Sequence, residues 1–371
     1  RISLDDGDYW SNQMLYRNVK NYAIGHGCAA DWEEENGKIS WISTATFPAF
    51  EIKPIVPSSI SDVSLEMLKM SDLGDFSATI LELQTMCNKY QEWINQLKTD
   101  STVIEEIYKR TAKEHIANCE KCLDRMQEGI NLIKSNTIVR KAFQYMNQVM
   151  LLQQLHYNLP LQKWVDDNNG GIKLENPIEQ LPVITDSSTW YDCEHHTYGK
   201  WRPFQLAFIL MNLKSMYDSG CNERKIVDLI WFPTGGGKTE AYLGLSAYTI
   251  FIRRLKNKDD NGTAILMRYT LRLLTAQQYE RASAMICACE LIRRDHVDTL
   301  GSSRISIGLW VGGDTTPNHM NKSSGGKDSA VAAYDKLKSG RSTVNPFIML
   351  KCPWCGAQMG VVTRLNGDKE I

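Results

Sequence analysis

Three different patterns of apolar and polar positions follow one another along the chain. Between residues 38 and 44 apolar and polar residues alternate, and the nearby prolines at positions 48, 54 and 57 predict short or edge strands. From residue 76 to residue 133, apolar residues recur at alternating steps of four and three, which predicts two long helices joined by a short turn. From residue 226 onward, short apolar runs rich in β-formers alternate with helical patterns, which is typical of a parallel sheet covered by helices.

These patterns divide the 371 residues into five parts and predict an α/β protein. We expect a small β-rich N-terminal domain over residues 1–70, a long antiparallel helical hairpin over 71–157, a connector over 158–200, an α/β lobe with a parallel sheet over 201–316, and a mobile insertion over 317–371.

The composition is that of an ordinary globular protein. Hydrophobic residues make up 43% and charged residues 23%, which excludes wholesale disorder. No stretch approaches the ~20 uninterrupted apolar residues of a membrane span, and no secretory signal opens the sequence. The 10 cysteines are too few for a disulfide scaffold and fit a reducing cytosol, so we predict a cytoplasmic protein that does not enter a membrane.

The net charge of −1 gives no hint of nucleic acid, but the charges are unevenly distributed. Residues 253–294 carry 9 Lys or Arg against 4 Asp or Glu, whereas residues 1–70 carry 6 against 10. We infer that the basic stretch meets a polyanion and that the acidic start does not.

A glycine-rich loop stands between a predicted strand and a predicted helix. The apolar run 226–232 leads into Pro-Thr-Gly-Gly-Gly-Lys-Thr at 233–239, and a helical pattern follows. Glycines let backbone N–H groups turn toward a phosphate chain, the ammonium of Lys238 then neutralises the β and γ phosphates, and the hydroxyl of Thr239 ligates Mg²⁺. The motif therefore predicts ATP, or a similar nucleotide, together with Mg²⁺.

We expect the catalytic contribution of this loop to come from Lys238 and Thr239. The wider set predicted to hold the nucleotide is Thr234, Gly235, Gly236, Gly237, Lys238, Thr239 and Glu240. Glu240 stands at the helix start, so we do not expect it to act as a general base. Phe232, six positions before the lysine, replaces the small residue that is usual there, which favours a helicase-type loop over that of a small GTPase.

Upstream of the loop, Trp-Arg-Pro-Phe-Gln at 201–205 resembles the adenine-reading segment of superfamily 2 helicases. By that resemblance the amide of Gln205 bonds the adenine edge, and the ring of Trp201 or of Phe204 stacks on the base. The alternative is a simple helix start with proline in the first turn.

Downstream, residues 267–278 and a glycine loop after the predicted strand 305–311 resemble the helicase segments that hold nucleic-acid phosphates. The resemblance implies DNA contacts from Arg268, Thr270, Arg272, Gln277, Gly312, Gly313 and Thr315. Tyr269 replaces the usual proline of this motif, and the glutamine falls one position late. The alternative for Arg268 is an internal ion pair with Asp228 or Glu290.

Cysteine and histidine clusters offer other candidate chemistry. Cys352-Pro-Trp-Cys355-Gly has the spelling of a zinc knuckle, which supplies two thiolates of a tetrahedral Zn²⁺ site. No cysteine follows it, and Cys287 and Cys289 fall on different faces of a helical pattern, so we expect a partial site. The other clusters are interpreted as a tight turn with a buried cysteine at 25–32, helix core at Cys119 and Cys122, and a solvated loop at Cys193, His195 and His196.

The motifs together point to one family. The segments 201–208, 231–244, 267–278 and 25–32 resemble the DrmA family, the helicase subunits of the DISARM anti-phage system. Specific motifs cover mainly residues 201–318, and the likeness is loose over 60–200. The resemblance implies that residues 201–316 form part of the first RecA-like lobe of a superfamily 2 ATPase, which engages phage DNA together with a partner subunit of the DISARM complex.

The resemblance thus implies an ATP-dependent DNA helicase or translocase. Such a motor needs an acidic motif that positions Mg²⁺ and the attacking water, and a second lobe with an arginine finger. Neither is recognisable after Gly313, so we expect the 371 residues to be the N-terminal portion of a longer protein and not competent alone. The alternative is a nucleotide-responsive DNA-binding and protein-interaction module without motor activity.

Overall fold

The fold is known from a computed structural model and mixes helices with short strands. The described residues are 7–46, 60–157, 159–186, 199–231, 236–269, 272–311, 317, 319–323, 325–342, 348–360, 362–363 and 369–370. Residues 272–276, 362–363 and 369–370 are described by their backbone alone.

Helices dominate the described residues. The helices are α1 Gly7–Leu15, α2 Met67–Met70, α3 Ser77–Asp100, α4 Glu106–Ser135, α5 Thr137–Tyr157, α6 Pro203–Tyr217, α7 Lys238–Lys256, α8 Arg272–Asp295, α9 Val297–Leu300 and α10 Ala330–Lys338. The strands are β1 Ala29–Glu35, β2 Lys38–Ala45, β3 Trp164–Asp166, β4 Ile172–Leu174, β5 Val362–Thr363 and β6 Lys369–Glu370. Among these helices, none combines the length and apolar composition that a bilayer span requires.

Helix α5 forms the centre of the helical core. It contacts α2, α4, α7 and α8, and most of its residues are buried, including the polar side chains of Gln144, Asn147 and His156. Phe143 and Tyr145 are fully buried, and the Tyr145 ring lies 5.1 Å from the ring of Phe251 in α7. Each such burial stabilises the fold by about 1.5–3 kcal/mol, so α5 fixes the positions of α7 and α8 around it.

Helices α3 and α4 form the predicted hairpin, and α5 is a third helix that the prediction for residues 71–157 missed. An ion pair between Lys98 and Glu120, with 2.6 Å between nitrogen and oxygen, joins α3 to α4. The side chain of Asn136 accepts hydrogen bonds from the N–H groups of Ile138 (3.0 Å) and Val139 (3.1 Å). This cap ends one helix and starts the next.

Helix α4 approaches α6 closely at Gly129. A Cβ atom at this position would lie 2.3 Å from the carbonyl oxygen of Leu210, so only glycine fits. The close approach places α6 against the helical core, and α6 carries Gln205 in its first turn.

The predicted β structure of residues 1–70 is present as one hairpin. Strands β1 and β2 pair antiparallel across the turn Asn36-Gly37, with a bulge at Glu33 and Glu34. Helix α1 precedes the hairpin and contacts α4, where Ser11 hydrogen-bonds the ring of His115 (2.9 Å). The proline-rich residues 47–59 lie outside the described residues.

A large parallel sheet is not present among the described residues, contrary to the prediction for 201–316. The sheets among the described residues are two-stranded and antiparallel, and they lie outside 201–316. The strands predicted at 226–232, 263–267 and 305–311 are, as far as they are described, extended segments without a strand ladder. Five apolar side chains on these segments are 79–98% exposed, namely Val227, Leu229, Trp231, Leu266 and Trp310, whereas Ile305 is buried and Ile265, Met267 and Ile307 pack against the core. The physical reason is that a buried strand needs a neighbour on each side, and no described segment pairs with these three.

Candidate nucleotide-binding site

The phosphate loop leads into α7 as the sequence predicts. Helix α7 begins at Lys238, and Gly237 caps it in the left-handed conformation (φ 83°, ψ 25°), which glycine adopts without strain. The N-terminus of a helix carries a partial positive charge and unpaired N–H groups, so it attracts phosphate. Thr234 and Gly235, also predicted to bind the nucleotide, lie outside the described residues.

Two side chains at the start of α6 hold the loop by its carbonyl groups. Arg202 Nη1 donates to the carbonyl oxygen of Gly236 (2.6 Å), and Gln205 Nε2 donates to that of Gly237 (2.7 Å). In a trans peptide the C=O and the following N–H point in opposite directions. The N–H groups of Gly237 and Lys238 therefore point away from α6, to the side where a phosphate can bind.

Gln205 is buried, at 3% exposure, and both ends of its amide are engaged. Its Oε1 accepts a hydrogen bond from the backbone N–H of Arg202 (2.8 Å), while its Nε2 is bonded to the loop. To read an adenine edge, the amide must exchange one of these bonds. The adenine-reading role of Gln205 stays a prediction, and the loop-holding role of Arg202 had no signal in the motif.

Trp201 is a core residue, which corrects its prediction as an adenine-stacking ring. It is 3% exposed, and its Nε1 donates to Asn147 Oδ1 of α5 (2.6 Å). A ring enclosed in this way offers no free face to a base. Phe204 is half-buried in the first turn of α6 and remains the predicted stacking residue.

Thr239 and Glu240, in the first turn of α7, are both tied to neighbouring elements. Tyr242 donates its hydroxyl proton to Thr239 Oγ1 (3.0 Å), and Tyr269 donates to the hydroxyl of Tyr242 (3.0 Å). Glu240 forms an ion pair with Arg281 of α8 through Oε1, whereas its buried Oε2 has no hydrogen-bond partner among the described residues. The Glu240 carboxylate is thus paired with an arginine of α8, and its predicted role beside the nucleotide stays a prediction.

The residues present fit a magnesium nucleotide. A helix N-terminus, two backbone N–H groups turned away from α6, an ammonium group and a hydroxyl meet at Gly237, Lys238 and Thr239. These are the groups that neutralise a triphosphate and ligate a hard cation.

Arg268 is exposed and lines a cavity between the extended segments and helices α7 and α8. The cavity holds about 860 Å³ and is lined by residues 263–269, residues 305–311 and parts of α7 and α8. The two acids that could have paired with Arg268 bond other arginines: Asp228 pairs with Arg125, and Glu290 with Arg293. Within the part of the chain that the structure describes, the Arg268 guanidinium makes no ion pair, so the internal-pair alternative does not hold there.

The other predicted DNA contacts are described only in part. Gln277 lies exposed on α8, and Arg272 is the first residue of that helix, known by its backbone alone. The remaining predicted contacts, Thr270, Gly312, Gly313 and Thr315, lie outside the described residues.

The sequence Cys352–Gly356 forms a tight hairpin that is docked on the helical core. The N–H of Gly356 donates to the Cys352 carbonyl (3.0 Å). The ring of Trp354 stacks on His156 at 3.6 Å, and His156 Nδ1 donates to the Trp354 carbonyl (2.6 Å). Burial lowers the pKa of His156, which keeps the ring neutral in this contact. This part of the predicted mobile insertion is therefore anchored.

Cys287 faces the docked hairpin, whereas Cys289 is fully buried in the core. Cys287, Pro353 and Trp354 line one cavity of about 390 Å³, and burial followed by the nearby Cys352 thiol raises the pKa of Cys287. No three potential metal ligands come together anywhere in the described ranges. The zinc site at Cys352 and Cys355 therefore stays a prediction with two ligands.

The remaining clusters contain no metal ligand set within the described ranges. Cys28 lies in a bend at the paired glycines but is half-buried rather than buried, and Cys119 and Cys122 are half-buried on α4. Cys193, His195 and His196 lie outside the described residues.

The chain is similar to a DISARM protein over nearly its whole length. It is 34% identical over 376 residues to the DISARM protein DrmA of Bacillus paralicheniformis, an alignment that covers 95% of the chain. The chain spans about 30% of the length of that relative. No protein-family model matches the chain. The similarity extends through residues 60–200, where the motifs alone gave only a loose likeness.

Proposed function

We propose that this chain, which is DrmA-like over 95% of its length, is the nucleotide-binding part of an ATP-driven DNA translocase or helicase in anti-phage defence. The observation that carries the proposal is the pair of bonds from Arg202 and Gln205 to the carbonyls of Gly236 and Gly237. These bonds preorganise the phosphate loop at the N-terminus of α7.

In this proposal Lys238 neutralises the β and γ phosphates, and the Thr239 hydroxyl holds Mg²⁺. Bound ATP supplies the phosphoryl group whose hydrolysis drives the cycle. The amides of Gly237 and Lys238 bond phosphate oxygens, and the Glu240–Arg281 pair keeps α7 and α8 in register. Gln205 and Phe204 remain the residues proposed to recognise the adenine.

We further propose that the segments 226–231, 263–269 and 305–311 are strands of a RecA-like parallel sheet in the full protein. Two supports are the exposed apolar side chains on these segments and the succession of two of them with α7 and α8. Hydrogen exchange on the full protein tests this. Slow exchange of these backbone amides is expected, and exchange at the rate of an open loop would contradict the sheet.

DNA is the proposed polyanion, and Arg268 and Gln277 are the described residues proposed to contact it. Arginine at the rim of a cavity, with no internal partner among the described residues, fits a contact to phosphate. Thr270, Arg272, Gly312, Gly313 and Thr315 complete the proposed surface. A further DISARM subunit is the proposed protein partner, and a cytoplasmic location stays a prediction.

The test is DNA-stimulated ATP hydrolysis by the full protein. Lys238→Ala is expected to abolish turnover, because it removes the charge opposite the phosphates. Lys258→Ala, which removes an exposed lysine beyond α7, is the matched control and should hydrolyse ATP normally. Nucleotide binding without hydrolysis in the presence of DNA would favour the interaction module over the motor.

For the zinc-knuckle sequence Cys352–Gly356 we propose a zinc ion that is held by Cys352, Cys355 and further ligands from other residues. Two thiols on one tight hairpin supply half of a tetrahedral site, so the fit of the described residues is partial. The test is the zinc content of the purified full protein. Cys352→Ser should lose zinc and Cys221→Ser should keep it, whereas equal zinc content in both variants would exclude the knuckle as the ligand source.

A further inference from the structure

A chain of three hydroxyl groups leads from the phosphate loop to the segment proposed to contact DNA. Tyr269 donates to Tyr242 at 3.0 Å, and Tyr242 donates to Thr239 Oγ1 at 3.0 Å. Thr239 and Tyr242 stand three residues apart on α7 and so share a face of that helix. Tyr269 reaches this face from outside the helix, directly after the exposed Arg268.

Because Thr239 Oγ1 accepts a hydrogen bond in this chain, it keeps one lone pair with which it can ligate a cation. A threonine hydroxyl has two lone pairs and one proton. The bond from Tyr242 occupies one lone pair and restricts rotation of the side chain, which leaves the second lone pair for a metal ion and the proton for another acceptor. Burial, followed by the bond to Tyr242, raises the pKa of Tyr269, so the hydroxyl stays protonated and remains a donor.

A second contact joins the first turn of α7 to helix α8. Glu240, next to Thr239, pairs with Arg281 of α8, and both side chains are about one-fifth exposed. The Arg281 guanidinium also lies over the ring of Tyr157, 5.5 Å from its centroid. The first turn of α7 is therefore joined to Tyr269 on one side and to α8 on the other. The residues proposed to contact DNA include Arg268, next to Tyr269, and Gln277, on α8.

We propose that Tyr242 is a positioning residue for the Mg²⁺-ligating hydroxyl of Thr239, and that Tyr269 couples this hydroxyl to DNA bound at Arg268. The proposal rests on the nucleotide and DNA functions proposed above. DNA on Arg268 fixes the neighbouring Tyr269, and Tyr269 in turn fixes the Tyr242–Thr239 bond. By linkage, magnesium nucleotide then changes DNA affinity by the same factor as DNA changes nucleotide affinity.

The experiment uses the full protein and a fluorescent ATP analogue, and it measures equilibrium affinity rather than turnover. Affinity is titrated in Mg²⁺ and in EDTA, each with and without saturating DNA, for the parent and for Tyr242→Phe and Tyr269→Phe. The matched control is Tyr248→Phe, on the same helix, because its buried hydroxyl has no hydrogen-bond partner among the described residues. Melting temperatures are measured alongside.

Tyr242→Phe should keep the affinity in EDTA and reduce the gain from Mg²⁺ by about 3- to 10-fold, the effect of one lost hydrogen bond. Tyr269→Phe should keep DNA affinity, since Arg268 is intact, yet lose the effect of DNA on nucleotide affinity. Its ring is 36% exposed, so this variant folds even where Tyr242→Phe melts early.

Two results are distinguished. If the parent protein binds magnesium nucleotide and DNA, and both variants behave like Tyr248→Phe, the hydroxyl chain is overturned while the proposed function stands. If the parent binds no magnesium nucleotide, the proposed function fails and the hydroxyl chain fails with it.

Discussion

Arg125 of α4 and Asp228 of the segment before the phosphate loop form a two-bond ion pair. Arg125 Nη1 lies 2.6 Å from Asp228 Oδ1, and Nη2 lies 2.8 Å from Oδ2. The side chains are only 12% and 18% exposed, so the pair is largely shielded from water and salt. It connects the helical hairpin to the segment that enters the phosphate loop.

Arg125→Ala should destabilise the protein by about 1–3 kcal/mol, because it leaves the Asp228 carboxylate half-buried without its partner. Asp228→Asn should cost a similar amount, and the double variant should cost less than the sum. Urea unfolding of the four proteins measures this coupling. Arg110→Ala, which breaks the exposed Arg110–Glu114 pair, is the control and should change stability by less than about 0.5 kcal/mol. Full additivity of Arg125→Ala and Asp228→Asn would contradict the pair.

Gln205→Ala separates two roles of one amide. If Gln205 acts by holding the Gly237 carbonyl, the variant should lose affinity for ATP and GTP alike, by about 5- to 10-fold for one lost hydrogen bond. If it acts by reading adenine, the variant should lose affinity for ATP and keep that for GTP. We expect both effects, with the loss for ATP the larger. A variant with the parent's affinity for both nucleotides would remove Gln205 from the site.

Glu290 should make stability depend on acid pH. Hydrogen bonds from Arg293, at 2.7 and 2.8 Å, and from the N–H of Ile305, at 2.9 Å, lower the pKa of Glu290 to about 2. As the pH falls, the Glu290 carboxylate therefore binds a proton near pH 4.5 in the unfolded state but only near pH 2 in the folded state. The stability from this carboxylate is fully present above pH 4.5 and falls as the pH drops toward 2.

Glu290→Gln should cost about 2 kcal/mol at pH 7, the value of hydrogen bonds to a charged group. The difference from the parent should shrink as the pH falls from 5 to 3. Urea unfolding at a series of pH values measures both. A difference that stays constant with pH would mean that folding does not lower the pKa of Glu290.

Arg268→Ala should weaken DNA binding without affecting the fold. One lost phosphate contact reduces the slope of log affinity against log salt by about 0.9 for duplex DNA. The melting temperature should not change, because the guanidinium makes no ion pair in the described ranges. Arg110→Ala serves as the control. An early-melting Arg268 variant that retains the parent's salt slope would assign this arginine to structure.

Local patterns predicted local structure well. The heptad spacing predicted α3 and α4, and the glycine loop followed by an apolar period predicted a helix after the loop, which is α7. The sequence also contains a local signal for the break between α4 and α5, although our prediction of a two-helix hairpin did not use it. Ser-Asn-Thr at 135–137 interrupts the pattern, and Asn is a preferred helix cap.

Contacts between residues distant in sequence could not be predicted from spacing. Trp201 stands in a motif predicted to stack an aromatic ring on adenine, yet its indole nitrogen donates a hydrogen bond to Asn147 of α5, 54 positions away in the sequence. Arg125 and Asp228 are 103 positions apart, and nothing near either residue specifies the other. The apolar pattern of the segments 226–231, 263–269 and 305–311 predicted buried strands, because the pattern shows which side chains a segment is able to bury. Whether a strand is in fact buried depends on adjacent strands, and no described segment pairs with these three.

The most direct test of the central claim is equilibrium binding of ATP with Mg²⁺ to the full protein, measured by calorimetry for the parent, Lys238→Ala and Lys258→Ala. We expect the parent and Lys258→Ala to bind with the same affinity and Lys238→Ala to bind about 10- to 100-fold more weakly, since a charge-assisted contact to phosphate contributes ~1.5–3 kcal/mol. Equal binding by all three proteins would contradict the assignment of residues 236–240 as the phosphate site.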